Sequence, residues 1–547
     1  MRHLPCLLLF LFCLKPGYSA NANDTYPKNL NIDIVHYSFE LKLNDGSDEI
    51  QAKASIAVKL KKENIPTLRF DLVNTNAELK GKGMSVLSVS MDDQLLTFTH
   101  QSNELLISIP PSNVKKEFTI EIAYKGIPNT GLAIKNNKYG DRTFFSDNWP
   151  NLGRNWLPLV DHPYDKATCE FKIIAPVKYQ VVSNGIKLEE SMLPSGLKLT
   201  HWKETVPIAP WLFVLGVAEF AVQYVNEFEG KSIQTWVYKQ DRDAGFYDFA
   251  IPTKDVLNFY SEYVGPFAYE KLANIQSNNS SGGMESASAI MYSENSVTGE
   301  RTKRWRNVVI HEIAHQWFGD AVTESDWDDV WLSEGFATYF TLVFIESAYG
   351  HDEFIEGLQA SRKQVIEFQA KNWPYRIVHQ NLSDMTKVTS GQTYQKGSWT
   401  LHMLRSMMGE ENFKKGIQSY YRKYFNRNAT TDDFKLEMEI ASGVKLDQFF
   451  SQWLYQGGTP TLKGTWHFDL KNRELTIELR QTQKDFAFEI PVEVGMYKSG
   501  PLISDVQKMM LKNQPLKMTF SMESRPDKVV LDPNTKLLAE WEFIEKP

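Results

Sequence analysis

The amino-acid sequence predicts an α+β protein of several domains, with strand-rich segments at both ends and a mostly helical segment between them. Apolar residues alternate with period two before about residue 220, and they alternate again after residue 460. Between about residues 225 and 456 they recur instead at helical spacing. A chain of 547 residues is also longer than one domain usually is. We therefore expect an antiparallel β domain, a mostly helical domain and a small β-sandwich.

The first 22 residues have the layout of a secretory signal peptide. Arg2 gives a charged start, residues 6–14 are apolar, and a small-residue cleavage motif follows at residues 20–22. The apolar stretch is too short to cross a bilayer, which disfavours a membrane anchor as the alternative. We expect an exported protein, periplasmic or secreted, with no stable membrane span once residues 1–22 are removed.

Charge and cysteine content narrow the class of protein further. The formal net charge is -7, and neither sign forms a long run. A nucleic-acid partner usually requires a basic patch, so this balance disfavours one. Cys6 and Cys13 lie within the signal segment, so Cys169 alone remains and no internal disulfide is expected. The oligomeric state is not indicated.

The N-terminal domain is predicted over residues 23–222. Residues 35–43 and 50–60 alternate between apolar and polar on either side of a polar turn, Asn44-Asp45-Gly46, which is typical of a β-hairpin. Residues 118–124 repeat the alternation. The pattern predicts a large antiparallel β domain.

The helical domain is predicted over residues 223–457. Apolar residues recur at helical spacing in four segments: 254–264, 304–319, 333–349 and 400–425. Gly350 stands where the C-cap of a helix would be. The turn signal "QGGTP" at residues 456–460 marks the end of this domain, and the strand pattern after it predicts a small β-sandwich over residues 458–547.

The stretch "RNVVIHEIAHQWFGD" at residues 306–320 contains an H-E-x-x-H motif. On a helix, His311 and His315 stand one turn apart on one face, so both can reach a single zinc ion. Glu312 points to a different sector and can hold a water bound to that ion. The motif alone also occurs by chance, and its helical context favours the metal site over that alternative.

A catalytic zinc needs a third protein ligand and an open fourth position. Glu334 is the candidate, because it lies nineteen residues after His315 and early in the next helical segment. Three residues between the two segments are candidates to orient the histidines: Asp320, Asp328 and Asp329. The sequence thus predicts one zinc ion per chain.

With these residues in place, the pattern resembles the M1 family of zinc aminopeptidases, which are gluzincins, and specifically its aminopeptidase N-like members. That family shows H-E-x-x-H followed by a Glu after eighteen intervening residues, as this chain does. Four further stretches resemble family motifs: "GRNWLPLVDHPYDKATCEF", "GGMES", "TYQKGSW" and "FFSQWLYQGGTP". The resemblance covers roughly residues 27–460, in the family's order.

The resemblance implies a fold and an activity. His311, His315 and Glu334 would bind zinc, and Glu312 would be the general base for attack of a zinc-bound water on the N-terminal peptide bond. The partners would be peptides with a free N-terminus. An N-terminal saddle of strands would pack beside a thermolysin-like catalytic domain. The chain ends too soon for the large helical C-terminal domain of many members, so we expect a short form.

The resemblance also implies substrate contacts. Glu285 would bind the free α-amino group, and Tyr394 would donate a hydrogen bond to the oxyanion and so act as a catalytic residue. The rest of the predicted substrate-binding set is Gly282, Gly283, Met284 and Asp147. Two positions depart from the family pattern: Ser286 replaces the usual Asn, and Asp147 falls where many members have a Gln.

Two other functions stay open at this stage. One is a zinc hydrolase of the same family that acts on a lipid epoxide. The other is a non-catalytic homologue that binds peptides. The residue types do not indicate which N-terminal residue is preferred.

Overall fold

The computed structural model describes residues 24–63, 65–110, 116–498 and 503–546. The predicted signal peptide at residues 1–22 lies outside these ranges. Within them the chain forms strands and helices in the order that the sequence predicts: strands first, then mostly helices, then strands again.

The N-terminal part contains strands β1–β15. Their bounds are β1 Ile32–Lys42, β2 Ile50–Leu60, β3 Thr67–Asp71, β4 Gly83–Met91, β5 Gln94–Leu95, β6 Phe98–Gln101, β7 Glu104–Ser108, β8 Glu117–Ile127, β9 Leu132–Asn136, β10 Arg142–Ser146, β11 Ala167–Pro176, β12 Gln180–Ser183, β13 Ile186–Leu193, β14 Leu197–Ile208 and β15 Leu215–Ala218. They form an eight-stranded sheet in the order β13-β14-β11-β1-β2-β8-β4-β5, a four-stranded sheet β12-β15-β10-β9 and a three-stranded sheet β3-β7-β6.

The predicted hairpin is confirmed, because β1 pairs antiparallel with β2. Its alternation buries Phe39 and Leu41 completely, whereas a β-bulge between Ile34 and His36 leaves Val35 exposed. The prediction of an antiparallel domain is wrong for one pair, since β1 and β11 run parallel. The reason is physical: alternation decides which side chains are buried, and it carries no information about the direction of a distant partner strand.

A five-stranded sheet leads into the helices, in the order β16-β17-β18-β20-β19. Its strands are β16 Phe220–Phe228, β17 Lys231–Tyr238, β18 Lys271–Ser277, β19 Gly283–Met284 and β20 Ala289–Ser293. Strand β19 lies at the edge and pairs with β20 alone. Strand β16 crosses the predicted boundary between the first two domains at residue 222. The boundaries of all the domains stay predictions.

The helices are α1 Arg242–Phe249, α2 Thr253–Tyr263, α3 Lys303–His315, α4 Trp331–Tyr349, α5 His351–Lys371, α6 Gly397–Met408, α7 Glu410–Tyr424, α8 Thr431–Ser442 and α9 Asp447–Leu454. Two short strands, β21 Val322–Glu324 and β22 Arg427–Ala429, pair between them. Among the described residues, no helix is both long enough and apolar enough to span a bilayer.

The predicted helical segments are confirmed with one correction. Helices α2, α3 and α4 match the first three segments, and α4 ends at Gly350, which has φ 101°. The last segment, 400–425, is not one helix, because Gly409 with φ 80° separates α6 from α7. A glycine in this conformation stops a helix at no steric cost. Helix α5 begins directly after Gly350 and was not predicted.

Among the described residues after 460, the regular elements are strands. They are β23 Thr461–Asp469, β24 Glu474–Gln481, β25 Ile490–Tyr497, β26 Ile503–Leu511, β27 Leu516–Ser521, β28 Lys528–Leu531 and β29 Glu540–Glu545. They form a four-stranded sheet, β27-β24-β23-β29, and a three-stranded sheet, β26-β25-β28. The guanidinium of Arg362 on α5 donates to Asp532 over 3.1 Å and thereby ties these strands to the helices.

Candidate active site

Helices α3 and α4 bring the predicted metal ligands together. The apolar face of α3 is completely buried at Ile310 and Ile313, which fixes the rotation of the helix about its axis. That rotation directs His311 and His315 to one side, one turn apart. The chain then returns through α4, which packs against α3 and whose first turn carries Glu334.

The three ligand atoms fit a zinc ion. Nε2 of His311 and Nε2 of His315 lie 3.1 Å apart, and Oε2 of Glu334 lies 3.4 Å and 3.2 Å from them. Ligand atoms about 2.0–2.2 Å from a tetrahedral zinc are separated by roughly 3.3–3.6 Å. The triangle is therefore close to the size that zinc requires, and its donor set of two imidazoles and one carboxylate suits that metal.

The charges around the triangle favour a cation. Burial alone would raise the pKa of Glu334, but hydrogen bonding and charge interaction with His311 and His315 outweigh it and lower this pKa to about 2. Burial would lower the pKa of His315, yet the carboxylates of Glu285 and Glu334 raise it well above its usual range. A buried excess of carboxylates is costly unless a cation offsets it.

The outer nitrogen of His315 has its own partners. Nδ1 lies 3.1 Å from the carbonyl oxygen of Phe318 and 3.0 Å from Oγ of Ser333. With Nε2 facing the metal position, Nδ1 carries the proton and donates it, which holds the ring in place. The turn requires Gly319, at φ 111°, since a Cβ there would lie 2.2 Å from Oγ of Ser333.

The prediction that nearby aspartates orient the histidines is wrong. Asp320 accepts a hydrogen bond from Gln316, and Asp329 accepts from Thr431. The carboxylate of Asp328 accepts from backbone N–H groups of a following loop. The ligand His315 instead uses a backbone carbonyl and a serine, which the sequence spacing does not reveal.

Glu312 lies against the glycine-rich strand. Its carboxyl group is buried, and a Cβ added to Gly283 would lie 2.2 Å from its Cδ and Oε1 atoms. The absence of a side chain at Gly283 therefore leaves room for the carboxyl group of Glu312. Burial, and next the charge of Glu285, raise the pKa of Glu312 well above its usual range. A carboxylate with a raised pKa is a stronger proton acceptor, as a general base requires.

Glu285 follows the edge strand β19 and is 6% exposed. Its Oε1 atom has no hydrogen-bond partner among the described residues, and it lies 3.9 Å from Nδ1 of His315. Burial raises the pKa of this carboxyl group to about 7. A buried carboxylate oxygen without a donor is expensive, which points to a cationic ligand as its missing partner.

Of the other predicted substrate-binding residues, Gly282, Gly283 and Met284 directly precede Glu285, whereas Asp147 comes from the N-terminal part of the chain. Met284 is buried, whereas a Cβ at Gly282 would meet no atom within 4 Å. Asp147 follows β10 and lines a cavity of about 250 Å³ together with Asn279. Burial raises the pKa of Asp147 to about 6. The charge of Asp147 also raises the pKa of Glu285, after burial and the charge of Glu334.

Tyr394 belongs to a short π-helix, Gln392–Lys396, that precedes α6. Its hydroxyl donates to Oε1 of Glu334 over 2.5 Å, and its ring is stacked 6.1 Å from that of His311. The backbones of α4 and α6 come close at two glycines, since a Cβ at Gly397 would lie 3.0 Å from Cα of Gly335. Donation by Tyr394 to an oxyanion stays a prediction, since its hydroxyl here contacts a metal ligand.

Two further residues support the site and were not predicted. Lys166 donates from Nζ to the carbonyl oxygens of Asp320 and Ala321, both over 2.9 Å. Burial lowers the pKa of this lysine to about 7. Gln316 contacts the loop that contains Glu285. Both residues lie inside the motif stretches, but the contacts of Lys166 with Asp320 and Ala321, and that of Gln316 with Glu285, are to distant backbone groups that no spacing identifies.

Most of the chain is similar to known proteins. The model of the Peptidase M1 N-terminal domain matches residues 34–212, and the model of the Peptidase family M1 domain matches residues 249–453. Glutamyl aminopeptidase of Homo sapiens is 30% identical over 463 residues, which cover 79% of this chain and 47% of the relative. Probable aminopeptidase 2 of Sulfurisphaera tokodaii is 25% identical over 435 residues, which cover 76% of this chain and 54% of the relative. The chain spans about half the length of the curated relatives it matches.

Proposed function

Since the chain belongs to peptidase family M1, we propose that it is a zinc-dependent aminopeptidase that hydrolyses the N-terminal peptide bond of peptides. One observation carries the proposal: the buried carboxylate of Glu285, with an oxygen that lacks a hydrogen-bond donor, lies beside the cluster of two histidines and one glutamate. The names of the similar proteins, glutamyl aminopeptidase and probable aminopeptidase, support the same reaction class.

We assign the metal to His311, His315 and Glu334, with one zinc ion per chain. Zinc bound by such a set supplies a Lewis acid and lowers the pKa of a bound water to about 7. The three side chains hold the ion, and Ser333 keeps the ring of His315 oriented.

Glu312 and Tyr394 handle the proton and the developing charge. The carboxylate of Glu312 takes a proton from the attacking water and passes it to the leaving amine. The hydroxyl of Tyr394 turns from Oε1 of Glu334 to the substrate carbonyl oxygen as negative charge builds up there. One well-placed donor of this kind is worth about 2.7–4 kcal/mol.

Glu285 makes the enzyme an exopeptidase. The α-ammonium group of a peptide supplies the donor that its Oε1 atom lacks, and Asp147 adds a second negative charge on that side. A peptide without a free N-terminus would leave a buried charge unpaired, which is strongly unfavourable. Gly282, where a Cβ would meet no atom within 4 Å, leaves room for the peptide backbone to approach closely beside the edge strand β19.

The remaining parts of the proposal rest on the sequence. Export to a periplasm or the medium follows from the signal-like layout of residues 1–22. The saddle shape of the N-terminal strands, the thermolysin-like character of the catalytic domain and the sandwich arrangement of β23–β29 follow from the family resemblance.

A panel of aminoacyl-aminomethylcoumarin substrates, assayed with and without a zinc chelator, tests the proposal. We expect cleavage of substrates with a free α-amine, loss of activity with the chelator and recovery on addition of zinc. We expect no cleavage of the N-acetylated counterparts. Glu312→Gln should keep the zinc and lose turnover.

Efficient cleavage of acetylated substrates would contradict the exopeptidase assignment. Turnover of a lipid epoxide without cleavage of any aminoacyl substrate would overturn the peptidase assignment. Purified protein that holds zinc and cleaves nothing on a broad panel would instead indicate a peptide-binding homologue.

A further inference from the structure

The side chain of Gln316 is completely buried and uses each of its hydrogen-bonding groups. Its Nε2 atom donates to the carbonyl oxygen of Glu285 over 2.9 Å and to Oδ2 of Asp320 over 2.7 Å. Its Oε1 atom accepts from the backbone N–H of Ser288 over 2.9 Å. One amide group therefore binds both ends of the four-residue loop from Glu285 to Ser288.

Gln316 is also the residue directly after the metal ligand His315, at the end of α3. The loop is thereby tied to the helix that holds the zinc. Within the part of the chain that the structure describes, no side chain of α3 itself forms a hydrogen bond with this loop. The carboxylate of Asp320 fixes the orientation of the Gln316 amide, because only the NH₂ group of that amide can donate a hydrogen bond to a carboxylate.

The opposite side of the loop is held by the N-terminal domain. Oγ of Ser288 accepts from the backbone N–H of Gly185 over 2.8 Å and donates to Glu204 over 3.2 Å. Ser288 has φ 63°, a conformation that side-chain-bearing residues rarely adopt. The N-terminal domain thus holds one side of the loop, and Gln316 holds the other side and joins it to the helix that carries the metal-binding histidines.

We propose, on the premise of the aminopeptidase function above, that Gln316 is a positioning residue that sets the distance between the amine-binding carboxylate of Glu285 and the zinc. The distance from the α-amine to the scissile carbonyl is fixed by covalent bonds in the substrate. Anchor and metal must therefore keep a matching separation, and displacements of about 1 Å in such arrangements carry large penalties.

Two inhibitors that differ only in the α-amine test this role. L-alanine hydroxamic acid carries the amine, and propionohydroxamic acid lacks it, while both bind zinc through the hydroxamate. The inhibition constant of propionohydroxamic acid divided by that of L-alanine hydroxamic acid, the amine ratio, measures the contribution of the amine. It is determined for the wild type, for Gln316→Met, which keeps the length of the side chain without its hydrogen bonds, and for Glu285→Gln.

We expect Gln316→Met to keep its zinc and to lower the amine ratio about tenfold, as loss of a buried hydrogen-bonded support predicts. The inhibition constant for propionohydroxamic acid should stay within about twofold, since that compound does not reach Glu285. In the Glu285→Gln background, Gln316→Met should not change the ratio further, because the two residues act through one contact. If Gln316→Met does not fold, Gln316→Asn keeps the amide and is too short to bind both backbone groups.

The control is Gln452→Met on α9. Gln452 is also buried and binds the backbone N–H and carbonyl of Glu489, away from the metal cluster. An unchanged amine ratio in Gln316→Met, or an equal loss for both inhibitors, would overturn the positioning role. A comparable fall of the ratio in Gln452→Met would do the same. Equal inhibition of the wild type by the two compounds would instead contradict the aminopeptidase function itself.

Discussion

The hydroxyl group of Tyr394 donates a hydrogen bond over 2.5 Å to Oε1 of Glu334, the same carboxylate whose Oε2 atom faces both metal-binding histidines. The donor proposed for the substrate is thus kept in place by Glu334, a proposed zinc ligand, while no substrate is bound. It has to exchange one anionic acceptor for another during the reaction. Burial, and next the charge of Glu334, raise the pKa of this phenol well above its usual range, which favours the protonated form that can donate.

Removal of that hydroxyl should affect turnover more than binding. We expect Tyr394→Phe to lower kcat by about 10²–10³, the usual cost of one lost oxyanion donor. KM should change little, because the hydroxyl contacts Glu334 before the reaction starts. Steady-state kinetics on the best fluorogenic substrate, with zinc content measured in parallel, checks this. A change confined to KM would contradict the assigned role.

A methyl group on the glycine-rich strand should displace the general base. In Gly283→Ala the new Cβ would fall 2.2 Å from the carboxyl group of Glu312, which is flexible enough to move away. We expect a melting temperature close to that of the wild type, retained zinc and a kcat lowered by about 10²-fold, since a shift of about 1 Å in a catalytic group has that effect. Gly282→Ala is the matched neighbour, because its Cβ would meet no atom within 4 Å. Equal losses in both variants would count against the steric explanation.

The hydroxyl of Ser333 should influence zinc affinity. It lies 3.0 Å from Nδ1 of His315, so Ser333→Ala removes one of the two partners that orient this ligand. We expect zinc to bind about 10-fold more weakly, the lower end of the usual effect of such partners. Competition with a chromophoric chelator measures the dissociation constant. Ser361→Ala, at a buried serine on α5, is the control and should bind zinc like the wild type.

His402 should make stability depend on pH. Burial lowers the pKa of this imidazole from 6.5 to about 4, although its ring contacts the carbonyl oxygen of Thr535. The unfolded chain then binds a proton between these values that the folded chain does not, so the stabilisation is complete above pH 6.5 and is lost as the pH falls towards 4. The loss should reach about 3 kcal/mol. Melting temperatures across this range should fall more steeply for the wild type than for His402→Gln, and parallel curves would exclude this origin.

Local sequence patterns predicted the metal cluster because its ligands lie on two neighbouring helices. His311 and His315 are one turn apart, and the apolar face of α3 determines where they point. The nineteen residues from His315 to Glu334 leave room for one return of the chain. The break at Gly409 was missed because an apolar stripe can continue across a short interruption without changing its period.

Contacts between distant segments account for what the sequence did not predict. The parallel pairing of β1 with β11 depends on how the chain returns after more than a hundred residues. The π-helix of Tyr394 depends on a backbone contact between Gly335 and Gly397. Gln316 was visible in the motif, but its two contacts with the loop from Glu285 to Ser288 are to backbone groups, which carry no residue-type signal.

Lys166 has a consequence for how genes of this kind can be rearranged. It enters from the N-terminal domain and supplies the donors for two carbonyl groups just beyond the zinc-binding helix. A recombination event that replaced the first domain without its lysine would leave the carbonyl of Ala321 without this donor, whereas that of Asp320 would keep the hydroxyl of Thr323. The cost of about 1–3 kcal/mol for one unsatisfied buried group is a noticeable share of a domain's stability, so we expect the N-terminal and catalytic parts to be exchanged more readily as a pair than singly.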